Sequence, residues 1–324
     1  MNSIEGYNHI SVATKKTGQK IQDIADNKLL PFQTSLQGER KIIGGLFPSD
    51  QMVIAARSGM GKTARIIAMM EEFVDWSINP LWRNKVIILF DSLEMPDWRI
   101  ILRQTSARLD ITVRTILYEY AQNLNRERQQ LLQQVFTSLN QKPIYFSNTY
   151  PNVAQWEARK RKICEAYPNH TIINIVDHTR LISKANEGTE EQLITGLMNA
   201  GMRLKNRYEC INIFISQMNR NIEISGVRKE LGKALPIASD IFGSDAAMQT
   251  ADIVMALHRP GFYKLMNFEL GGKIIPTGIT ETSDLDNLLI ECILKNRDGN
   301  INNILVQHDI SKNKFQDYNL KLAA

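Results

Sequence analysis

The chain is poor in cysteine, in long apolar runs and in repetition, and each shortage narrows what it can be. Its three cysteines, Cys164, Cys210 and Cys292, are far apart and odd in number. They suit neither a disulfide framework nor a zinc site and read as buried bystander thiols. No stretch approaches the roughly 18 consecutive apolar residues of a membrane span, so no membrane partner is expected. The opening MNSIEGYNHISVATKK lacks a basic segment followed by an apolar one and does not read as a secretory signal. A cytoplasmic location is expected. Internal repeats and low-complexity tracts are also missing. What remains is ordinary globular material: 324 residues, 43% hydrophobic and 23% charged, enough for a sizeable core without staples. A formal charge of +5 permits nucleic-acid binding by phosphate neutralisation without requiring it.

Residues 1–16 show no strong periodicity and are expected to form an extended or mobile leader. After them Ile21, Ile24, Ala25 and Leu29 recur at helical spacing, predicting a short amphipathic helix that ends before Pro31. Five apolar runs follow: QMVIAA (51–56), KVIILFD (85–91), PIYFSN (143–148), TIINIVD (171–177) and CINIFISQ (210–217). Their near-continuous hydrophobicity, with helical patterns at 64–76, 97–109 and 190–208 between them, predicts an α/β fold with a doubly wound, mainly parallel sheet covered on both faces. Beyond residue 250, DIVMALHR, NLLIECILKNR and NILVQHDI are separated by polar turns and are expected as an antiparallel extension of that sheet. The stretches 219–242 and 270–284 read as long loops, which in compact domains are often functional.

The segment Ala56-Arg57-Ser58-Gly59-Met60-Gly61-Lys62-Thr63 fits the Walker A pattern except for alanine in place of the first glycine. It follows a predicted strand and opens a predicted helix. In that setting successive backbone amides and the positive helix end surround phosphate oxygens, with Gly59 and Gly61 removing side-chain obstruction. Ser58 through Thr63 (Ser58, Gly59, Met60, Gly61, Lys62 and Thr63) are therefore the candidate nucleotide-binding residues. Lys62 is expected to reach the β- and γ-phosphates of ATP and Thr63 to ligate Mg2+. A second magnesium ligand is needed, and TIINIVD places Asp177 at the carboxyl end of a buried strand, where open α/β sheets bind their ligands. Taken alone, a strand-end aspartate is more often a turn or cap residue, and the upstream phosphate loop reverses that preference in favour of the metal role.

The next strand and its sequel, KVIILFDSLEMPDWRIILRQTSARLD, resemble the Ser-Leu-Glu-Met segment of DnaB-type replicative helicases. Further segments resemble that family in order: IGGLFPSDQMVIAARSGMGKT (43–63), IFISQMNRNIE (213–223), SDIFGSDAAMQTADIVMALHR (239–259) and LKNRDG (294–299). The resemblance implies a RecA-like P-loop ATPase domain over 35–324, with 1–34 as leader and linker helix. It implies that Glu94, taken to lie just past a strand neighbouring the phosphate loop, is the catalytic base that polarises the attacking water, and that Gln217 senses the γ-phosphate. Lys295 and Arg297 would reach the nucleotide of a neighbouring subunit in a homo-hexameric ring. Single-stranded DNA would be held in the channel by loops at 183–191 and 220–244. There Arg220, Arg228, Lys229 and Lys233 supply charge, and Gly243 and Ser244 match a segment whose amides approach DNA phosphates.

Some residues depart from the family pattern. The opening Ala56 is itself usual in the family, but Phe242 stands where many members have arginine; an aromatic there could instead stack on a base. His178-Thr179-Arg180 replaces the common Tyr-Leu-Gln, and Ser58-Gly59 replaces Pro-Ser. The residues before 35 leave no room for the family's amino-terminal collar domain, which suggests a phage or mobile-element form. Three functions are in view. The leading one is a ring-forming, ATP-dependent helicase translocating on single-stranded DNA, 5′ to 3′ by the resemblance, with primase, a helicase loader and other replication proteins as partners. The others are a RecA-like filament-forming DNA-binding ATPase and an ATP-binding assembly or loading factor.

Overall fold

A computed structural model describes residues 3–4, 7–149, 151–179, 189–219 and 234–319 of the chain. The loop residues Arg220, Arg228, Lys229 and Lys233, and most of 183–191, lie outside the described residues.

The amino-terminal segment departs from an extended leader. A two-residue pairing of β1 (Ser3–Ile4) with β2 (Tyr7–Asn8) precedes α1 (Ile10–Ala25), so the helix begins within the stretch expected to be extended and stops before Leu29. The His9 ring accepts the Ser11 amide at its start, an N-cap that hydrophobic periodicity does not report. No residue of α1 is buried, and Ile10, Ile21 and Ile24 are exposed.

Beyond α2 (Gln37–Ile42), the chain alternates strand and helix. These elements are β3 (Gln51–Ala56), α3 (Lys62–Phe73), β4 (Val86–Ser92), α4 (Asp97–Leu109), α5 (Val113–Thr115), α6 (Arg126–Asn140), β5 (Ile144–Ser147), α7 (Val153–Ala166), β6 (Thr171–Asp177), α8 (Glu190–Tyr208) and β7 (Ile211–Gln217). All five apolar runs are strands. Capping boxes start α7 (Asn152 with Gln155) and α8 (Thr189 with Gln192), each satisfying two otherwise orphaned amides.

After α9 (Ser244–Thr250) come β8 (Ile253–His258), the hairpin β9 (Asn267–Leu270) with β10 (Lys273–Pro276), and β11 (Leu288–Asn296), β12 (Asn303–Asp309) and β13 (Lys314–Asp317). The nine-stranded sheet has the order β13-β12-β11-β8-β3-β7-β6-β4-β5. Six strands, β8 through β5 in that order, are parallel, and β11 to β13 run antiparallel to their neighbours. Two expectations are corrected here. Residues 253–258 join the sheet parallel to β3 rather than antiparallel, because α9 and its approach carry the chain back across the sheet after β7. Part of 270–284 is a strand, since Lys273–Pro276 pairs with Asn267–Leu270 across a turn built on Gly271 and Gly272, both at positive φ.

The sheet separates two apolar layers. One holds Ile54, Ile66, Met70 and Phe73 under α3; the other holds Val53, Trp156, Leu197 and Phe214 under α7 and α8. Cys164, Cys210 and Cys292 are free and buried. Among the described residues no helix is long and apolar enough to cross a membrane.

Candidate nucleotide site

β3 lies in the middle of the sheet, and the turn from it into α3 crosses the carboxyl ends of the parallel strands. Gly59 and Gly61 have φ of 81° and 93°, values open to glycine and strained for other residues. A Cβ on Gly59 would lie 2.9 Å from the Phe262 ring, and one on Gly61 would lie 2.6 Å from Ile310 Cδ1. Conformation and crowding both demand glycine there. The buried Met60 side chain anchors the turn in the core, while Ser58 and Gly59 face outward. Arg57 Nη1 donates to Met218 O at 3.0 Å, and Arg259 Nη1 donates to Gly59 O at 2.7 Å. Lys62 folds over the loop, donating to Ala56 O (3.0 Å) and Arg57 O (3.3 Å). Burial lowers its pKa, against the pull of Asp177 and Glu94.

Thr63 Oγ1 donates to Asp177 Oδ2 at 2.8 Å. The other carboxylate oxygen, Oδ1, is buried without a hydrogen-bond partner. Burial, aided by Glu94, pushes the Asp177 carboxyl up to about 6 despite the Thr63 bond. A hydroxyl and a carboxylate with a free oxygen, facing a backbone cradle, form the donor set that suits a hard cation shared with phosphates. Among the described residues no three His, Cys, Asp or Glu side chains are grouped to hold a metal alone. That fits magnesium, which takes few protein ligands and relies on phosphate and water.

Glu94 reaches this cluster by a different route from the expected one. Its strand, β4, is separated from β3 by β7 and β6. The tie is instead to β6: Leu93 N donates to Asp177 O at 2.7 Å, and the half-exposed Glu94 carboxylate stands 3.8 Å from His178 Nε2. Gln217 ends β7 directly beside the phosphate loop, paired with Ala56, and its carbonyl accepts the Phe242 amide at 3.0 Å. The Phe242 ring is partly buried against the second apolar layer. Gly243, at φ 69°, precedes α9, which begins with Ser244.

Lys295 and Arg297 are far from this chain's own phosphate loop. β11 runs antiparallel to β8 and brings them to the amino-terminal end of the parallel strands, with Lys295 paired to Val254. Arg297 Nη1 bonds Asp252 Oδ1 at 3.0 Å, and Lys295 Nζ donates to Met248 O at 2.5 Å. The Arg297 side chain remains 53% exposed, open to a partner.

Several arginines near the site had no assigned role. Arg259 clamps the loop, and Arg103 sits close enough to Asp177 and Glu94 to feel both charges. Arg103 also lines a cavity of about 570 Å³ that opens beside Glu94. Arg65, in the first turn of α3, is fully buried among three glutamates. Spacing alone does not distinguish such residues from helix-surface charges.

A glycine turn between a central parallel strand and a helix, facing a strand-end carboxylate, defines a P-loop protein of RecA-like fold. The architecture is similar to a solved helicase ATPase domain (TM-score 0.77, 19% identity, covering 96% of this chain and 99% of that one). It is also similar to the solved structure of a DnaB-like replicative helicase and its interactions with primase (TM-score 0.74, 20% identity, 97% and 68% covered). The DnaB-like helicase C terminal domain model matches residues 32–317, and the chain belongs to that family. Relatives include a probable replicative DNA helicase of Trieres chinensis, 26% identical over 280 residues, covering 86% of this chain and 55% of the relative. Another is the replicative DNA helicase DnaB of Buchnera aphidicola subsp. Schizaphis graminum, 24% identical over 289 residues, covering 89% and 55%. The chain spans about half the length of these curated relatives.

Proposed function

We propose that this chain is the motor of an ATP-dependent DNA helicase that assembles as a homo-hexameric ring and translocates on single-stranded DNA during replication. The observation that carries the reading is the Thr63–Asp177 contact beside Lys62, a phosphate and metal cradle on the central strands of a family fold. Residues 35–324 form the motor, and 1–34 link it to a neighbour.

In this mechanism Lys62 exchanges its bonds to the Ala56 and Arg57 carbonyls for the β- and γ-phosphates of ATP. Thr63 and Asp177 would hold Mg2+, which would supply neutralisation of phosphate charge when bound. Glu94 accepts a hydrogen bond from the attacking water and orients it in line with the γ-phosphorus. Gln217, whose strand end is bonded to Phe242, relays the state of that phosphate toward Gly243 and Ser244. Those residues, with Arg220, Arg228, Lys229 and Lys233, hold the DNA backbone. Lys295 and Arg297 act on the neighbouring subunit's nucleotide. Primase and a helicase loader are the expected partners.

The test is ATP hydrolysis with and without single-stranded DNA, together with unwinding of a fork bearing a 5′ tail. DNA-stimulated hydrolysis with unwinding is expected. Hydrolysis without unwinding, by filaments in electron micrographs, would instead support the recombinase reading.

A further inference from the structure

Arg65 follows Thr63 by two residues and points away from the nucleotide site into the protein. Its Nε donates to Glu291 Oε1 on β11 at 2.7 Å, and its Nη2 donates to Glu39 Oε1 on α2 at 2.6 Å. Glu72 approaches Nη1 at 3.5 Å, and the guanidinium lies 5.5 Å from the centre of the Phe315 ring. Arg65 and Glu291 are both wholly buried. Burial opposes the charge on Arg65, but Glu39, Glu291 and Glu72 more than compensate and hold it protonated. Burial and the neighbouring Glu39 raise the Glu291 pKa well above the ordinary range.

Stability does not account for such a cluster. Replacing a buried ion network with apolar side chains of similar volume is often neutral or favourable. Its placement supplies another reason. Arg65 belongs to the helix that follows the phosphate loop, and Glu291 lies on the strand that carries Lys295 and is followed directly by Arg297. Between Glu291 and those residues the β8–β11 register shifts at 293–295, a local irregularity of the kind that bends a strand and re-aims the side chains beyond it. A buried guanidinium held by directional hydrogen bonds resists sliding more than apolar packing does, because displacement would leave its donors unpaired at low dielectric.

We propose that Arg65 and Glu291 are positioning residues that couple nucleotide occupancy at one subunit's phosphate loop to the placement of Lys295 and Arg297, and so to hydrolysis at the adjacent subunit. The inference rests on the proposed trans role of Arg297. When phosphates draw on the first turn of α3, Arg65 transmits the movement to β11. Each site then reports its occupancy to the next around the ring.

The experiment is the ATP dependence of hydrolysis by the assembled chain and three variants: Glu291→Gln, the combination Arg65→Met/Glu39→Gln/Glu291→Leu, which removes the guanidinium and the two carboxylates bonded to it, and Arg297→Ala. The unmodified protein should hydrolyse cooperatively, with a Hill coefficient above unity. Glu291→Gln and the combined variant should keep kcat within about tenfold while the Hill coefficient falls toward unity. A merely structural role would lower kcat or the melting temperature and leave the coefficient unchanged. Unchanged cooperativity in an active variant, or a non-cooperative parent, overturns the coupling. Wild-type kcat in Arg297→Ala would defeat the finger reading separately. Should both coupling variants misfold, hydrogen exchange in the unmodified chain decides: an ATP analogue should change protection across 291–297, and constant exchange there refutes the link.

Discussion

Arg297 and Lys62 stand at opposite ends of the same sheet. Lys62 folds over the carbonyl of Ala56, the last residue of β3, whereas Arg297 bonds Asp252, whose carboxylate receives the Gln51 amide at the first residue of β3. Five residue steps of strand separate those anchors, about 17 Å. That is beyond the reach of one arginine side chain. Arg297 therefore has no access to the phosphates held by its own subunit, and any phosphate it contacts must come from elsewhere.

Lys62→Ala should abolish ATP hydrolysis and leave the fold intact. Its ammonium bonds two loop carbonyls, charge-assisted contacts worth roughly 1.5–3 kcal/mol each that are offset by the desolvation of a part-buried charge. Thermal melting should move by a few degrees at most, while turnover falls by roughly two powers of ten or more. Wild-type turnover in the folded variant would remove Lys62 from the mechanism.

Glu94→Gln should separate binding from chemistry. The amide keeps the shape but cannot orient water as the carboxylate does, so turnover should drop roughly 10²- to 10⁴-fold. Binding of a fluorescent ATP analogue should be retained, because the ties of Lys62 and Thr63 run to loop carbonyls and to Asp177 rather than to Glu94. A variant that loses binding instead would mark Glu94 as structural.

The legible parts of the fold are those where one physical signal dominates. Buried parallel strands are uniformly apolar, so β3 to β7 stand out, and Gly59 and Gly61 mark a turn only glycine can make. The direction of β8 was hidden, because an apolar run carries no orientation and the answer lies in how α9 recrosses the sheet. Helix α1 is legible only in its second half, since the first half holds Ile10, Val12 and Ala13 without a sustained helical repeat and is capped by a histidine. Strand neighbours also lie beyond sequence reading: Glu94 joins the site through β6, not through adjacency to β3. Arg65 belongs to a third class. In sequence it is one basic residue after a phosphate loop, and only the convergence of α2, α3 and β11 shows it to be buried.

Asp50 gives a pH-dependent prediction. Phe47 N donates to its Oδ2 at 2.7 Å, yet burial, with nearby Asp252, pushes its carboxyl up to about 6 from an ordinary 3.8. A carboxyl with a raised folded-state pKa weakens the native state once ionised. Its cost is absent below about pH 4, builds as pH rises from there to about 6, and is fully present above 6. Asp50→Asn keeps an acceptor for Phe47 and removes the charge. It should stabilise the protein by roughly 1–3 kcal/mol at neutral pH, and the gain should vanish in acid. Denaturant melts at neutral and acidic pH measure this; equal gains at both would refute it.

The helix α1 should be an assembly element. Among the described residues none of this helix is buried, and its long-range ion pairs to its own subunit run from Lys16 and Lys20 to Glu209 at 3.0 and 3.1 Å. Exposed pairs of this kind contribute about 0–1 kcal/mol each, too little to fix a helix with Ile10, Ile21 and Ile24 facing water. Deleting residues 1–30 should shift the chain toward smaller species by light scattering while leaving its melting temperature nearly unchanged. An unaltered oligomer would show that α1 holds no neighbour.

The separation of Arg297 from Lys62 makes a complementation test decisive. Arg297→Ala subunits should be inactive alone, because an arginine finger contributes about 10³- to 10⁵-fold to phosphoryl transfer, yet they retain an intact phosphate loop. Lys62→Ala subunits have the reverse defect. In mixed rings some interfaces combine a working loop from the first variant with a working arginine from the second, and only those sites hydrolyse ATP. Mixing under conditions of subunit exchange should therefore restore measurable activity that neither variant has. Co-assembly must be verified, for example by energy transfer between labelled subunits, because segregated rings would also stay silent. In verified mixed rings, activity no greater than the sum of the separate variants would mean that Arg297 serves no neighbouring nucleotide. Since the length of β3 already denies it a role at its own, Arg297 would then be left with its bond to Asp252 as its whole function.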